Sequence, residues 1–288
     1  MKWYYSRILR KIFKFNDWEV AIRKKTTNDF LDINSECDFI PIPNTREYWF
    51  ADPILFEYDG NTWLFVEAYN KRRGRGELGV FQINEGCKPT DYKTILTADY
   101  HMSYPFVFTY KNKVFMIPES GADKKIHLYQ ATQFPYNWQY VGVLCEGKAF
   151  RDSTVYTVDG TLYLLTYERT DNRRLFHTYD CHEYKLDIEN CCSELISTYN
   201  DKKAFYRPAG LMVETSDRLV RSSQKCKNIY GESLIIWELP TGEQSWKHAK
   251  KAKEITGESL KIIGRKAVLT HTYSCTSKYE VVDYRTMK

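Results

Sequence analysis

The chain has no apolar run near the roughly 20 residues a membrane-spanning helix requires, and no hydrophobic segment of signal-peptide type follows Met1. None of its eight cysteines (Cys37, Cys87, Cys145, Cys181, Cys191, Cys192, Cys226 and Cys275) forms a CxxC pair, and adjacent Cys191 and Cys192 do not have a zinc spacing. His127, His177, His182, His248 and His271 form no HxH or HExxH pattern, so no transition-metal site is expected. Also missing are a Gly-rich phosphate loop, a GxSxG elbow and a Cys-His nucleophile pattern; Gly74-x-Gly76 lacks the strand-to-helix setting of a nucleotide fingerprint. No linker, low-complexity tract or composition break divides the chain, so residues 1–288 are expected to form one domain. The net charge of +5 is not gathered into a basic stripe, which argues against nucleic acid as a partner. The sharpest basic run, 71–75, lies in a Gly-containing loop and reads as solvated. With no secretion signal, the cysteines are expected to be reduced thiols in a cytoplasmic protein, although their even number leaves a disulfide alternative open. No cofactor is expected; an ion in an axial channel stays open.

Aromatic residues are abundant. They make up 16% of the chain, with 23 Tyr, in a sequence that is 43% hydrophobic. That is enough apolar surface for a large core, and the Tyr excess suits half-buried sheets and sugar-stacking surfaces. The strongest pattern is a repeated phrase of strand, turn and strand. Residues 50–56 are followed by a turn at Asp59-Gly60 and by 63–67. The plan recurs at 103–108, turn Lys111-Asn112, 114–116, and at 151–156, turn Asp159-Gly160, 162–165. A weaker copy is 209–213, turn near Asp217, then Leu219-Val220; a fifth is placed at 257–263, turn Gly264, 267–269. The copies are spaced about fifty residues apart, the sign of a propeller with one four-stranded sheet per blade.

The expected fold is therefore all-β: a five-bladed β-propeller of four-stranded antiparallel blades. The blades are expected at approximately 45–100, 101–147, 148–200, 201–255 and 256–288 with 18–25. Further strand-like runs support this, among them 126–131, 138–144, 175–179, 183–186 and 233–239. The fifth blade is one strand short, so the strand-like run 18–22 is expected to complete it and close the ring. Residues 1–17 form a basic, aromatic segment. Tyr4, Ile8, Ile12 and Phe15 recur at three- and four-residue spacings between basic residues, which leaves contact with a membrane surface through residues 1–15 open beside an ordinary docked terminus.

Several of these runs carry a family resemblance. Trp49-Phe50-Ala51-Asp52-Pro53, Ser103 to Phe108, Met116 to Ser120, Phe134-Pro135 with Trp138, Arg207-Pro208-Ala209-Gly210 and Tyr230-Gly231 together resemble the N-terminal domain of plant glucosamine inositolphosphorylceramide transferases and their stand-alone bacterial relatives. The resemblance spans roughly 45–275. It implies a role in surface polysaccharide or glycolipid assembly, though in the plant enzymes sugar transfer is assigned to a separate C-terminal domain. At fold level the chain is similar to the five-bladed arabinanase, xylosidase and invertase propellers. That similarity implies a general base at Asp52, in the Asp-Pro dipeptide, and a pKa-tuning Asp at Asp152. Those hydrolases carry their acid Glu at the start of blade four, where this chain has Arg207-Pro208. An inverting pair needs two carboxyls about 6.5–9.5 Å apart, so the acid must lie elsewhere.

Propeller topology supplies replacements. The second strand of each blade returns to the face where the first begins, so Glu67, Glu119 and Glu168 are expected beside Asp52 at the axial mouth. His101, Tyr104, Arg151 and Arg207 sit at first-strand starts and are expected there too. The expected site is Asp52, Asp152 and Glu119 as catalytic groups, with Glu67, His101, Tyr104, Arg151, Glu168 and Arg207 binding substrate and no metal. Carboxylates for hydroxyls, Arg for an anionic substituent and aromatic rings for a pyranose face suit a sugar. The substrate is then a glycan, a sugar nucleotide or a lipid-linked sugar. Three functions fit: glycosyl transfer or processing, hydrolysis with a relocated acid, and non-catalytic glycan binding in service of a partner glycosyltransferase.

Overall fold

The computed structural model describes residues 14–169, 179–200, 207–240, 243 and 246–288. Most of the expected strand 175–179, and residues 1–13 of the basic segment, lie outside them. The described chain is all-β, with two single 3-10 turns, Trp246–His248 and Gly257–Ser259, as its helical elements.

Four groups of antiparallel strands follow each other along the chain. The first sheet contains Tyr48–Tyr58, Asn61–Asn70 and Arg75–Asn84, with Lys88–Pro89 and Lys93–Leu96 along its outer side. The second runs Ser103–Tyr110, Lys113–Glu119, Lys125–Gln133, Asn137–Glu146. The third runs Phe150–Val158, Thr161–Arg169, Tyr179–Asp187, Cys192–Asn200. The fourth runs Arg207–Glu214, Arg218–Lys225, Ser233–Pro240, Lys250–Thr256. A last group joins both ends of the chain: Tyr273–Cys275, Tyr279–Thr286, Glu19–Lys24 and Ile40–Ile42. A single parallel bridge, Gly210 to Tyr273, links the fourth group to the last.

Local chemistry explains the hairpins. Asp59-Gly60, Lys111-Asn112 and Asp159-Gly160 all have positive φ at both residues. Two such residues make the turn whose twist matches the flanking strands. The fifth expected hairpin is not formed. Gly257–Ser259 is a 3-10 turn, and Ala267–Leu269 pairs instead with Tyr279–Thr286. The last hairpin lies further along, at Tyr273–Cys275 and Tyr279–Thr286.

One device repeats in the first strand of all four sheets. Pairing is interrupted after Ala51, Ser103, Arg151 and Pro208. Just beyond each break sits a residue in the left-handed region: Asp52 (φ 48°), Tyr104 (46°), Asp152 (48°) and Gly210 (99°). For the three non-glycine residues this conformation costs about 1–2 kcal/mol each. Such a bulge bends the strand and re-aims its side chain. At Gly210 a Cβ would stand 2.6 Å from the Tyr273 carbonyl oxygen, so the adjoining strand can approach only because no side chain is there. The first strands lie against one another in order, and Tyr273–Cys275 also touches Tyr48–Tyr58. Apolar clusters fill the seams between sheets: Ile54, Phe65, Tyr104 and Phe106 in one, Ala209, Leu211, Tyr273 and Val282 in another. All eight cysteines are free thiols.

Candidate active site

The four bulges bring their neighbours to a cleft of about 620 Å³. Asp52, Glu67, His101, Ser103, Glu119 and Arg151 line it, together with Arg207, Tyr167, Tyr179 and Tyr230. Six of the nine residues expected at the mouth are therefore wall residues. The other three lie outside the wall. Asp152 is buried beneath Arg207, accepting from its Nε at 2.5 Å and from Gln224 Nε2 at 2.7 Å. Tyr104 is a buried strut: its hydroxyl accepts the Gly210 N–H at 2.6 Å and bonds Thr154 Oγ1 at 2.8 Å. Glu168 pairs with Lys148 Nζ at 2.9 Å and His182 Nε2 at 3.1 Å.

Strand register explains Glu168. Glu67 is paired with Ala51 and Glu119 with Ser103, in each case one residue before the left-handed one. The equivalent pair in the third sheet is Arg151 with Tyr167, and Glu168 falls opposite Phe150. A shift of one residue sends a side chain to the other face of a strand. Tyr167 accordingly takes the cleft position.

Asp52 is held by a network built from the last hairpin. Thr272 Oγ1 donates to its Oδ1 at 2.9 Å, and His271 Nε2 lies 3.1 Å from the same oxygen. The other ring nitrogen of His271 lies 2.9 Å from Asp283 Oδ2. Asp283 also accepts the backbone N–H groups of Asp52, His271 and Thr272. Burial opposes charge on the ring, but Asp283 and Asp52 raise its pKa well above the ordinary value, so His271 is an imidazolium between two carboxylates. Trp18 and Tyr230 flank it, with ring centroids 4.1 and 4.9 Å away. Burial alone would raise the Asp52 carboxyl; His271 and Thr272 outweigh it and hold Asp52 below its ordinary value. The three side chains Asp52, His271 and Asp283 have the donor types of a metal site. A ring whose two nitrogens both face carboxylates fits a proton better than a cation.

The other carboxyls divide by their access to cations. Glu119 is bonded by Arg151 Nη1 and lies 3.5 Å from Arg207 Nη2. Burial would raise it, yet these two guanidinium groups hold it below its ordinary value. Burial pushes Asp152 well up, against the pull of Arg207. Among the described residues Glu67 has no cationic partner but His101, at 3.5 Å, whose own pKa burial lowers. Burial, then Asp52 with Glu119 and Asp283, raises Glu67 well above its ordinary value. One wall thus carries Asp52, held below its ordinary value, and Glu67, raised well above its own. Aromatic rings complete it: Arg207 sits 5.3 Å over Tyr230, and Tyr167 stacks on Tyr179 at 5.0 Å. A larger groove, about 760 Å³, lies among Lys24, Lys25, Asn61, Gln82 and Lys278. Its one acid, Glu85, is exposed, so it offers no comparable acid and base.

Comparison with known proteins shows the family and the fold. Residues 35–261 match the model of the glucosamine inositolphosphorylceramide transferase 1 N-terminal family. The chain belongs to this family. It is 28% identical over 195 residues to glucosamine inositolphosphorylceramide transferase 1 of Oryza sativa subsp. indica, covering 66% of this chain and 26% of that protein. To the Arabidopsis thaliana protein of the same name it is 31% identical over 121 residues, 42% of this chain and 16% of that one. The chain thus spans about a quarter or less of the curated relatives it matches. Among solved structures it is similar in fold to a thermostable family-43 glycoside hydrolase, with TM-score 0.57, 13% identity, and coverage of 85% of this chain and 90% of that one. It is also similar to the catalytic domain of Coprinopsis cinerea GH62 alpha-L-arabinofuranosidase, with TM-score 0.58, 9% identity, and coverage of 94% and 98%.

His271, Thr272, Asp283, Gln224, Trp18 and Tyr230 are site residues that the sequence reading does not select. His271 was available as a signal. It stands just before the last hairpin, where the other sheets place their bulge, but a fifth hairpin assigned to 257–269 hides it.

Proposed function

We propose that the cleft binds one sugar unit of a glycan, or of a lipid- or nucleotide-linked sugar, and acts on its glycosidic bond. Asp52 is the base and Glu67 the acid. The observation that carries this reading is the split between two carboxyls of one wall: His271 and Thr272 reach Asp52 Oδ1 and hold its pKa down, while Glu67, with a buried Oε1 that has no hydrogen-bond partner among the described residues, has its pKa raised. Environments that push paired carboxyls apart are how acid and base roles are assigned. Glu119, expected as a catalytic group, serves here as an ionised anchor for Arg151 and Arg207, whose remaining N–H groups meet the substrate. The relatives are named glucosamine inositolphosphorylceramide transferase 1. That supports a place in glycolipid or surface polysaccharide assembly, with transfer favoured over digestion. A cytoplasmic location, with residues 1–15 resting on a membrane surface, belongs to the same proposal; cell fractionation that leaves the protein soluble without them and bound with them supports it.

The architecture we propose is a ring of five blades, the last closed by Glu19–Lys24. Support comes from the consecutive contacts of the first strands and from the pairing of the two chain ends. A second reading, glycan binding without turnover, is favoured by one observation: Arg207 stands at the start of the fourth first strand and is tied to Asp152. The test is a panel of aryl glycosides and nucleotide sugars with wild type, Asp52→Asn and Glu67→Gln. We expect either substitution to remove roughly 10²–10⁴ of the rate while binding persists. Turnover that survives both would refute the assignment. Binding with no turnover in the wild type would establish the second reading.

A further inference from the structure

Glu67 owes its geometry to a neighbouring strand. Gly76, on Arg75–Asn84, donates its backbone N–H to His101 Nδ1 at 2.9 Å. Its carbonyl accepts the N–H of Met102 at 3.1 Å. One glycine thus clamps the segment before the second sheet by two bonds. No other residue fits there: a Cβ would stand 2.3 Å from the Met102 carbonyl oxygen, 2.7 Å from Glu67 Oε1 and 2.9 Å from His101 Cε1.

The Gly76 bond decides the tautomer of His101. A ring nitrogen that accepts a hydrogen bond carries no proton, so the proton of the neutral ring is on Nε2. Nε2 lies 3.5 Å from Glu67 Oε1, and Oε1 is buried with no hydrogen-bond partner among the described residues. Contacts of this length in an empty site tighten when substrate closes over them. Both residues line the cleft. The charged groups around Glu67 are Asp52, Glu119 and Asp283 on one side of the balance and His271 on the other. Around His101, Glu119 and Asp52 favour a proton, while burial and Arg151 oppose it. A second proton on His101 would have to displace the Gly76 N–H.

We propose that His101 is a positioning residue for the acid: its Nε2–H, aimed by Gly76, claims Glu67 Oε1 and leaves the transferable proton on Oε2. This rests on the reading of Glu67 as the acid. A proton on Oε1 would set donor against donor across the 3.5 Å gap. In the reaction, Oε2–H passes its proton to the departing glycosidic oxygen as the bond to the sugar's anomeric carbon breaks. Asp52 takes the proton of the hydroxyl that attacks that carbon. The carboxylate left on Glu67 then has the His101 N–H beside it. His101 gives up no proton at any step, since its single N–H would otherwise leave an imidazolate. Protons balance: Asp52 gains one, Glu67 loses one, and solvent restores both.

The experiment uses the full chain labelled with ¹⁵N-histidine and carboxyl-¹³C-glutamate, without ligand. Long-range nitrogen–proton spectra read the His101 tautomer, and the carbon signal of Glu67 reads its titration. We expect the Nε2–H form in the wild type. In His101→Ala the carboxylate loses its donor, so the Glu67 titration moves to higher pH; in His101→Gln, whose amide supplies an N–H, it moves back toward the wild type. With any substrate turned over, kcat of His101→Ala should fall about 10²-fold, the scale of a misplaced reacting group, with KM little changed and partial recovery in His101→Gln. A proton on Nδ1, or a Glu67 titration unmoved by His101→Ala, would overturn the proposal. Absence of turnover in the wild type refutes the catalytic reading of the cleft, while the two spectra still decide the role of His101.

Discussion

Replacing His271 by Gln tests the electrostatic centre of the site. In the folded protein His271 is an imidazolium 3.1 Å from Asp52 and 2.9 Å from Asp283, with all three side chains buried. Gln keeps a hydrogen-bond donor but removes the positive charge, leaving two carboxylates facing each other in a dry site. Breaking a buried pair by removing one partner costs about 3–5 kcal/mol, a large part of the roughly 5–15 kcal/mol that stabilises a typical protein. At about 2 °C per kcal/mol for a chain of this length, the melting temperature should fall by roughly 6–10 °C. Scanning calorimetry at neutral pH reads this directly. The double variant His271→Gln/Asp283→Asn should recover part of the loss, because one uncompensated charge goes with the second change; groups in contact are not additive. The pH dependence has a definite sign. Burial opposes protonation, but Asp283 and Asp52 raise the folded pKa of His271 well above 6.5. Its contribution is therefore complete below the unfolded value and is lost as pH rises through the folded one. The gap between wild type and His271→Gln should narrow on the alkaline side. A melting temperature unchanged within 2 °C, or a gap that widens with rising pH, would refute the imidazolium.

Other substitutions separate strut from chemistry. Tyr104→Phe strands the buried Gly210 N–H, which now meets the hydroxyl at 2.6 Å; a loss of about 1–3 kcal/mol in urea unfolding is expected, and no loss would show that another acceptor takes over. Gly76→Ala should lower stability and displace His101 together, visible as a changed His101 ring signal, since the nearest obstacle is the Met102 backbone rather than a flexible side chain. Glu254, bonded to Lys225, Lys251 and Ser233, is held to about 2 despite burial that raises it. Its contribution is present above the ordinary value and should fade as pH falls toward about 2, an effect absent in Glu254→Gln. Alkylation of the folded protein should reach exposed Cys192 first, ahead of Cys145, whose thiol burial pushes up to about 11; mass mapping that finds Cys145 labelled first would contradict the structure.

The repeat was legible because its markers are backbone requirements. Asp59-Gly60 and Asp159-Gly160 must turn with positive φ, and Asp52-Pro53 and Tyr104-Pro105 announce the bulges. Composition could not separate a strand pair from Gly257–Ile263, where a glycine, two isoleucines and Gly264 imitate the repeat while forming a 3-10 turn and isolated bridges. Glu168 was misplaced by one position. Glu67 and Glu119 each lie seven residues past the second turn residue, Gly60 and Asn112, whereas the residue seven past Gly160 is Tyr167, and the pairing of Arg151 with Tyr167 shows the same one-residue difference. Protonation states were beyond any sequence reading, since they depend on which cation reaches which carboxyl.

That last dependence supports Glu67 as the acid we propose. Arg207 occupies the start of the fourth first strand and bonds Asp152 while lying beside Glu119. Arg151 takes the other oxygen of Glu119. With His271 committed to Asp52 and Asp283, the three cations are spent on four carboxyls. Among the described residues Glu67 is the carboxyl left over, with His101 Nε2 3.5 Å away. A buried carboxyl without a cation takes up a proton, because the charged form has lost its water and gained nothing. Arg207 therefore does more than occupy the start of its strand. By helping to hold Glu119 below its ordinary value, it leaves Glu67, on the strand next to Asp52, as a cleft carboxyl with its pKa raised and no guanidinium beside it among the described residues.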